Sequence, residues 1–233
     1  MPALRRHCLA APHVRGFTLV ELLVAITVMS LMAVLAWRGL DGMIRAREAS
    51  QGRADELFVV QAGLSQWRAD LDAVVDSPQA PTLTWDGRSL RLLRRVRANG
   101  GEAVQVVAWT RRAAPAGTWL RWQSQPLGSR TQWQQAWEQA DLWARDASAE
   151  LRRRETALFP LQDWQVFFFR GESWTNPLSS VGADEAATAA GASGSVPALP
   201  DGVRLQLSLP EGASPGGVLT LDWVRPELSR SRS

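Results

Sequence analysis

The stretch Phe17–Trp37, FTLVELLVAITVMSLMAVLAW, is apolar apart from three hydroxyl residues and a single charge, Glu21. At a rise of about 1.5 Å per residue, a helix over this run covers roughly 30 Å, the hydrocarbon thickness of a bilayer. It reads as a membrane span. Arg5, Arg6 and Arg15 flank it on the amino side, with no acid before residue 17. The positive-inside rule therefore keeps the leader cytoplasmic and sends the rest of the chain outward.

Three kinds of segment share this outline: a secretory signal peptide, a plain signal anchor and a prepilin signal. A secretory signal closes a shorter apolar core with a small-residue cleavage site. Here the pattern runs straight on into Arg38. A plain anchor leaves Glu21 unexplained, because an acid at the centre of a membrane helix costs about 2.5–3.5 kcal/mol, and less near the interface. That carboxylate needs a partner or a task.

The chain of 233 residues, 45% hydrophobic and 21% charged, has room for one globular domain beyond this appendage. Its net charge of +3 suggests an anionic partner at first sight, but every basic residue is Arg and three of them lie before residue 17. Without those three the remainder is neutral, so a nucleic-acid role lacks electrostatic support. His7, His13 and Cys8, the whole complement of imidazole and thiol, also lie in the leader. A chain lacking it forms no disulfide, offers no His or Cys ligand and builds no Ser/His or Cys/His nucleophile.

No proline interrupts Trp37–Val75, and the first break is Ser77-Pro78, so one helix is expected to continue to about residue 76. Leu57, Val60, Leu64, Trp67, Leu71 and Val74 recur three and four apart and form one apolar stripe, expected to pack on the domain. Arg53, Glu56, Gln66, Asp70 and Asp72 are expected on the opposite, solvated face. Gly39 and Gly42 each cost the helix roughly 1 kcal/mol relative to alanine. They serve bending, close packing, or neither.

After Pro78 the punctuation changes to strands and turns. Strands are expected at Thr82–Trp85, Ser89–Val96, Ala103–Arg111, Thr118–Gln123, Gln162–Arg170, Val203–Leu209 and Val218–Val224. Turns fall at Asp86-Gly87 and Asn99-Gly100-Gly101. Thr131–Arg145 carries Trp133, Trp137, Ala140 and Ala144 on one helical face and reads as a short helix. The Ala/Gly/Ser-rich segment from Pro177 to Pro200 reads as a loop with little to bury. The expected fold is α+β, a long amino-terminal helix with an antiparallel β-sheet domain packed on its distal stripe. The twelve tryptophans are scattered without basic interleaving, which favours core and interface use over base or sugar stacking.

Arg15-Gly16-Phe17-Thr18-Leu19-Val20-Glu21 resembles the prepilin processing motif, in which a membrane peptidase cuts after the glycine and methylates the new amino-terminal phenylalanine. The resemblance implies cleavage between Gly16 and Phe17, N-methylation of Phe17, and Glu21 as the fifth residue of the mature chain. There the family sets this acid opposite the amino-terminal ammonium of a neighbouring subunit and so fixes filament register. Trp37-Arg38-Gly39-Leu40-Asp41, Arg45-Ala46-Arg47-Glu48, Trp67-Arg68-Ala69-Asp70-Leu71, Phe169-Arg170 with Trp174, and Leu199-Pro200-Asp201-Gly202-Val203 are similar to the J-type minor pseudopilin of the type II secretion system. Glu21 separates the chain from the K-type component, which typically lacks that acid.

The organisation implied is a leader at 1–16, a transmembrane and filament-core helix at 17–39, its amphipathic continuation at 40–76, and a periplasmic β-rich domain at 77–228 with a flexible loop near 177–200. The resemblance also implies a single pass of the bacterial inner membrane. Expected partners are the prepilin peptidase/methyltransferase, I- and K-type and other pseudopilins, and the membrane itself. No catalytic residue, cofactor, metal, nucleic acid or small-molecule substrate is expected; no D-x-[DN]-x-[DN]-G calcium loop occurs. Two rival readings stay open. One is a minor pilin of type IV pili, and the other a membrane-tethered periplasmic enzyme or glycan-binding module, for which Asp141, Asp146 and Glu155 are the scattered carboxylate candidates.

Overall fold

An uninterrupted supply of Leu, Ala, Arg, Glu and Met with no proline builds helix α1, Leu19–Asp72. The computed structural model describes residues 16–77, 82–98, 100–113, 117–179, 198–213 and 215–226. The chain divides into two units, Met1–Gly52 and Arg53–Ser233. In the first, the described apolar side chains lie open: Leu19, Val24, Met29, Leu35, Trp37 and Ile44 are all exposed. The expected leader and most of the expected 177–200 loop lie outside the described residues.

In the second unit, α1 buries Val60, Gly63, Trp67, Asp70 and Leu71. Much of the expected stripe is present, with Leu64 partly buried against the core, but Leu57 stays 45% exposed. Two expectations fail. The helix ends at Asp72, short of residue 76, because Val74 and its neighbours pair with a strand instead: Val75 N–H donates to Leu93 O and Arg95 N–H to Ala73 O. Adjacent β-branched Val74 and Val75 favour the extended form. Asp70, placed on the solvated face from the sequence, is fully buried.

Among the described residues, nine antiparallel strands form two sheets. β1 (Leu83–Trp85), β2 (Ser89–Ala98), β3 (Gly101–Arg112), β4 (Thr118–Gln123) and β5 (Glu155–Pro160) lie side by side in that order. β6 (Asp163–Arg170), β7 (Ser173–Thr175), β8 (Gly202–Leu209) and β9 (Gly217–Val224) form the second sheet, ordered β7-β6-β8-β9. Between β4 and β5 come α2 (Arg130–Asp146) and the one-turn α3 (Ala149–Arg152). The seven expected strands are all present within a few residues, and the expected helix Thr131–Arg145 is α2. β5, β7 and α3 escaped the sequence reading. β7 and α3 are too short for a period to show, and β5 shows no clean alternation.

The first sheet is covered on both faces. Leu90, Leu92, Val107 and Trp109 join α1 and the second sheet in one core, while the alternating Leu93, Val106, Ala108, Leu120 and Trp122 meet Ala136, Ala140 and Trp143 of α2 in another. This explains why β3 reads as a near-continuous apolar run rather than a clean alternation. Ser129 caps α2, its side chain accepting from Gln132 N–H.

Tryptophan fills the space beside α1. Trp67 packs edge-on against Trp109 (ring centroids 5.3 Å apart) and Trp164 (6.2 Å), and Trp109 lies 4.5 Å from Trp119. Gly63 permits the approach of β5, since a Cβ there would stand 2.7 Å from the Phe159 ring. Indole N–H groups also tie elements together: Trp122 donates to Leu151 O, Trp143 to Glu155 and Trp223 to Asp72.

Asp70 receives five donors. Arg121 grips it with Nε on Oδ2 (2.7 Å) and Nη2 on Oδ1 (2.9 Å), Trp109 Nε1 donates to Oδ2 (3.0 Å), Gln66 Nε2 to Oδ1 (2.9 Å), and Arg94 Nη1 also reaches Oδ1. Removing one partner of a buried pair leaves uncompensated charge, at a cost of about 3–5 kcal/mol. Asp70→Ala is expected to lose that much in denaturant unfolding of the detergent-solubilised chain, followed by tryptophan fluorescence. Trp67→Ala is expected to lose about 3–5 kcal/mol through its cavity. A loss under about 1 kcal/mol for Asp70→Ala, the worth of an exposed pair, would contradict the clamp.

Candidate processing and assembly segment

Gly16 and Phe17 precede the first turn of α1 in non-helical backbone. A Cβ added at Gly16 would meet nothing within 4 Å, and Phe17 is 82% exposed. The peptide bond between them is open to an approaching enzyme. Arg15 and the rest of the leader lie outside the described residues.

Glu21 sits in the first turn of α1 and turns back on it. Its backbone N–H donates to Thr18 Oγ1 (3.3 Å), while Thr18 N–H donates to Glu21 Oε2 (3.4 Å). This reciprocal exchange is a capping box, which satisfies donors left over at a helix start and places negative charge at the positive end of the helix dipole. The T-x-x-E spacing of Thr18 and Glu21 carried that signal in the sequence, and the reading of Glu21 overlooked it. The carboxylate stays exposed while it serves the cap.

Farther along, hydroxyls on the apolar surface are satisfied inside the helix: Thr27 Oγ1 donates to Leu23 O (2.8 Å) and Ser30 Oγ to Ile26 O (2.8 Å). No polar side chain between Leu22 and Trp37 therefore demands water. α1 is long and apolar enough to cross a membrane, and nothing in its most apolar window is buried within the protein. Asp41 and Arg45 pair one turn apart after this stretch. Gly39 and Gly42 would also admit a Cβ without contact, so no packing within the chain requires them.

The scattered carboxylates do not converge into an acid–base site. Asp141 lies between Arg91 (3.3 Å) and Arg145 (3.2 Å), and Glu155 accepts both Nη atoms of Arg112 (2.9 Å each) and Trp143 Nε1 (2.8 Å). Asp146 lines a cleft of about 490 Å³ with Asp163 and five arginines, Arg88, Arg111, Arg112, Arg145 and Arg152. Among the described residues no three His, Cys, Asp or Glu gather to hold a metal ion.

Residues 12–37 match the family model of the prokaryotic N-terminal methylation motif. That places the amino-terminal segment in the class of prepilin-type processing signals, over about a tenth of the chain. No curated protein matches the sequence. Among solved structures, a chain of the GspK–GspI–GspJ complex from the enterotoxigenic Escherichia coli Type 2 Secretion System is similar at 16% identity, over 72% of this chain and 96% of that one, with a TM-score of 0.42. At that distance the similarity decides nothing about function.

Burial pushes the Glu155 carboxyl up, but the hydrogen bonds from Arg112 and Trp143, with the charges of Arg112 and Arg152, outweigh it and hold the group below its ordinary 4.5. Arg204 likewise lowers Asp222. A carboxylate with a depressed folded pKa contributes stability above its unfolded pKa and loses it as pH falls through the folded one. The melting temperature is therefore expected to fall on acidification below about pH 4.5. The gap between native protein and Glu155→Gln should narrow over the same range. Melting curves from about pH 7 to about pH 3 check this, and a gap that widens on acidification would refute it.

Proposed function

We propose that the chain is a minor pseudopilin of the type II secretion system, of J type, anchored in the bacterial inner membrane with its β domain in the periplasm. The single observation that carries the reading is the conjunction at the amino terminus: an open Gly16–Phe17 bond inside the methylation motif, with Glu21 at the head of an exposed apolar helix. The J-type assignment rests on the juxtamembrane and domain motifs that resemble that component.

In this reading residues 1–16 are the leader, 17–39 the membrane and filament-core helix, 40–72 its continuation, and 77–228 the periplasmic domain. Prepilin peptidase cuts after Gly16 and methylates Phe17. The freed ammonium of a neighbouring subunit then meets Glu21, and a charge pair in lipid favours one register over its slipped alternatives, because either charge alone is costly there. The protein performs no catalytic step. It joins I- and K-type pseudopilins at the tip of a short periplasmic filament, helps start assembly, and contributes to driving folded proteins across the outer membrane.

Intact mass and amino-terminal sequencing of the protein from its host's membranes are expected to show a chain starting at N-methylated Phe17. A chain starting at Met1 in cells with active peptidase would sink the proposal and return the tethered-enzyme reading. Glu21→Ala is expected to be cut normally yet to recover far less I- and K-type partner on pull-down than native protein. Recovery of type IV pilus subunits instead would move the chain to the minor pilins.

A further inference from the structure

Each sheet has two edge strands, and three of the four are blunted. β1 and β7 are three residues long, and β5 ends in Pro160 and meets β4 through a register shift. Short strands, proline and bulges are the devices that keep an edge from recruiting another strand. β9 has none of them. Its eight residues pair without interruption with β8, from Gly217 opposite Leu209 to Val224 opposite Gly202, and among the described residues nothing pairs with its other side. Alternate residues of β9 therefore turn backbone N–H and C=O groups away from the sheet.

The side chains select the partner. Val218, Thr220, Asp222 and Val224 share the exposed face, while Leu219, Leu221 and Trp223 face the core. Directly opposed residues of an antiparallel pair lie on the same face, so two copies of β9 can meet only in registers that keep faces together. Centred on Leu221, that pairing sets Val218 opposite Val224, Thr220 opposite Asp222, and Leu219 opposite Trp223. The two valines, 66% and 59% exposed in the single chain, cover one another. The half-covered Leu219 and Leu221 gain a neighbour on the core side. Asp222 is already held by Arg204 (2.7 Å), and it meets a hydroxyl rather than a like charge.

We infer that β9 is a self-complementary interface through which a second copy of this chain extends the β7-β6-β8-β9 sheet across a two-fold axis. The pairing does not rest on amino-terminal processing, so it stands or falls independently of the proposed function.

The test uses the full chain in detergent, in a Cys8→Ser background so that introduced thiols are the only ones. Val218→Cys and Val224→Cys proteins are oxidised separately and mixed. The register predicts a disulfide-linked dimer in the mixture, about tenfold above either alone and above a Thr156→Cys control on β5. Light scattering should give a dimer for native protein. The double variant Val218→Lys/Val224→Lys sets ammonium against ammonium twice and should weaken dimerisation about tenfold or more, with circular dichroism unchanged. A monomer at every concentration, equal linking in all four oxidations, or a dimer indifferent to the lysines overturns the inference.

Discussion

A carboxylate withdrawn from water must be met by donors, and Asp70 is met by five: the forked guanidinium of Arg121, Arg94, the Trp109 indole and Gln66. Arg94 belongs to β2, Trp109 to β3 and Arg121 to β4. One helical side chain thus holds three strands, and any slip of α1 along the sheet strands a buried charge. Apolar packing alone tolerates such slips far better, since leucine and valine contacts are not directional. The ring of Trp67, Trp109, Trp119 and Trp164 supplies the bulk of the surrounding contact, and the ion cluster sets its register.

The same helix meets two opposite demands along its length. Up to Trp37 its surface suits hydrocarbon: apolar side chains face outward, and hydroxyls bond back to their own backbone. From Arg53 it must present one covered stripe to two sheets, and small residues matter as much as large ones, as Gly63 beneath Phe159 shows. Glu21 is the exception in the first part. Its exchange with Thr18 satisfies the helix start and keeps the carboxylate at the helix end.

Most elements could be read from the sequence because their periods were long and their punctuation strong. α1 is long and free of proline, α2 has a clear aromatic and alanine face, and Gly87 and Gly100 mark chain reversals with positive φ. The short elements were missed because three or four residues hold no period. β3 resisted an alternation test because α1 and α2 bury its opposite faces. The methylation motif over residues 12–37 was legible because such a motif is local: glycine, phenylalanine and glutamate within six residues. The capping role of Glu21 rests on hydrogen bonds made only by the folded helix start, although its T-x-x-E spacing with Thr18 stands in the sequence.

By itself the sequence determined what depends on neighbours along the chain: the apolar span, its basic flank, the Gly16–Phe17 motif, and the succession of helix, strands and helix. Only the tertiary structure decided what depends on residues remote in sequence. Asp70 and Arg121 lie 51 positions apart, so nothing local could reveal that an acid on the apparent solvent face is buried. The end of α1 at Asp72, the placement of β5 beside β4 and, among the described residues, the unpaired outer edge of β9 have the same origin. Each is set by a backbone pairing made, or left unmade, across the fold.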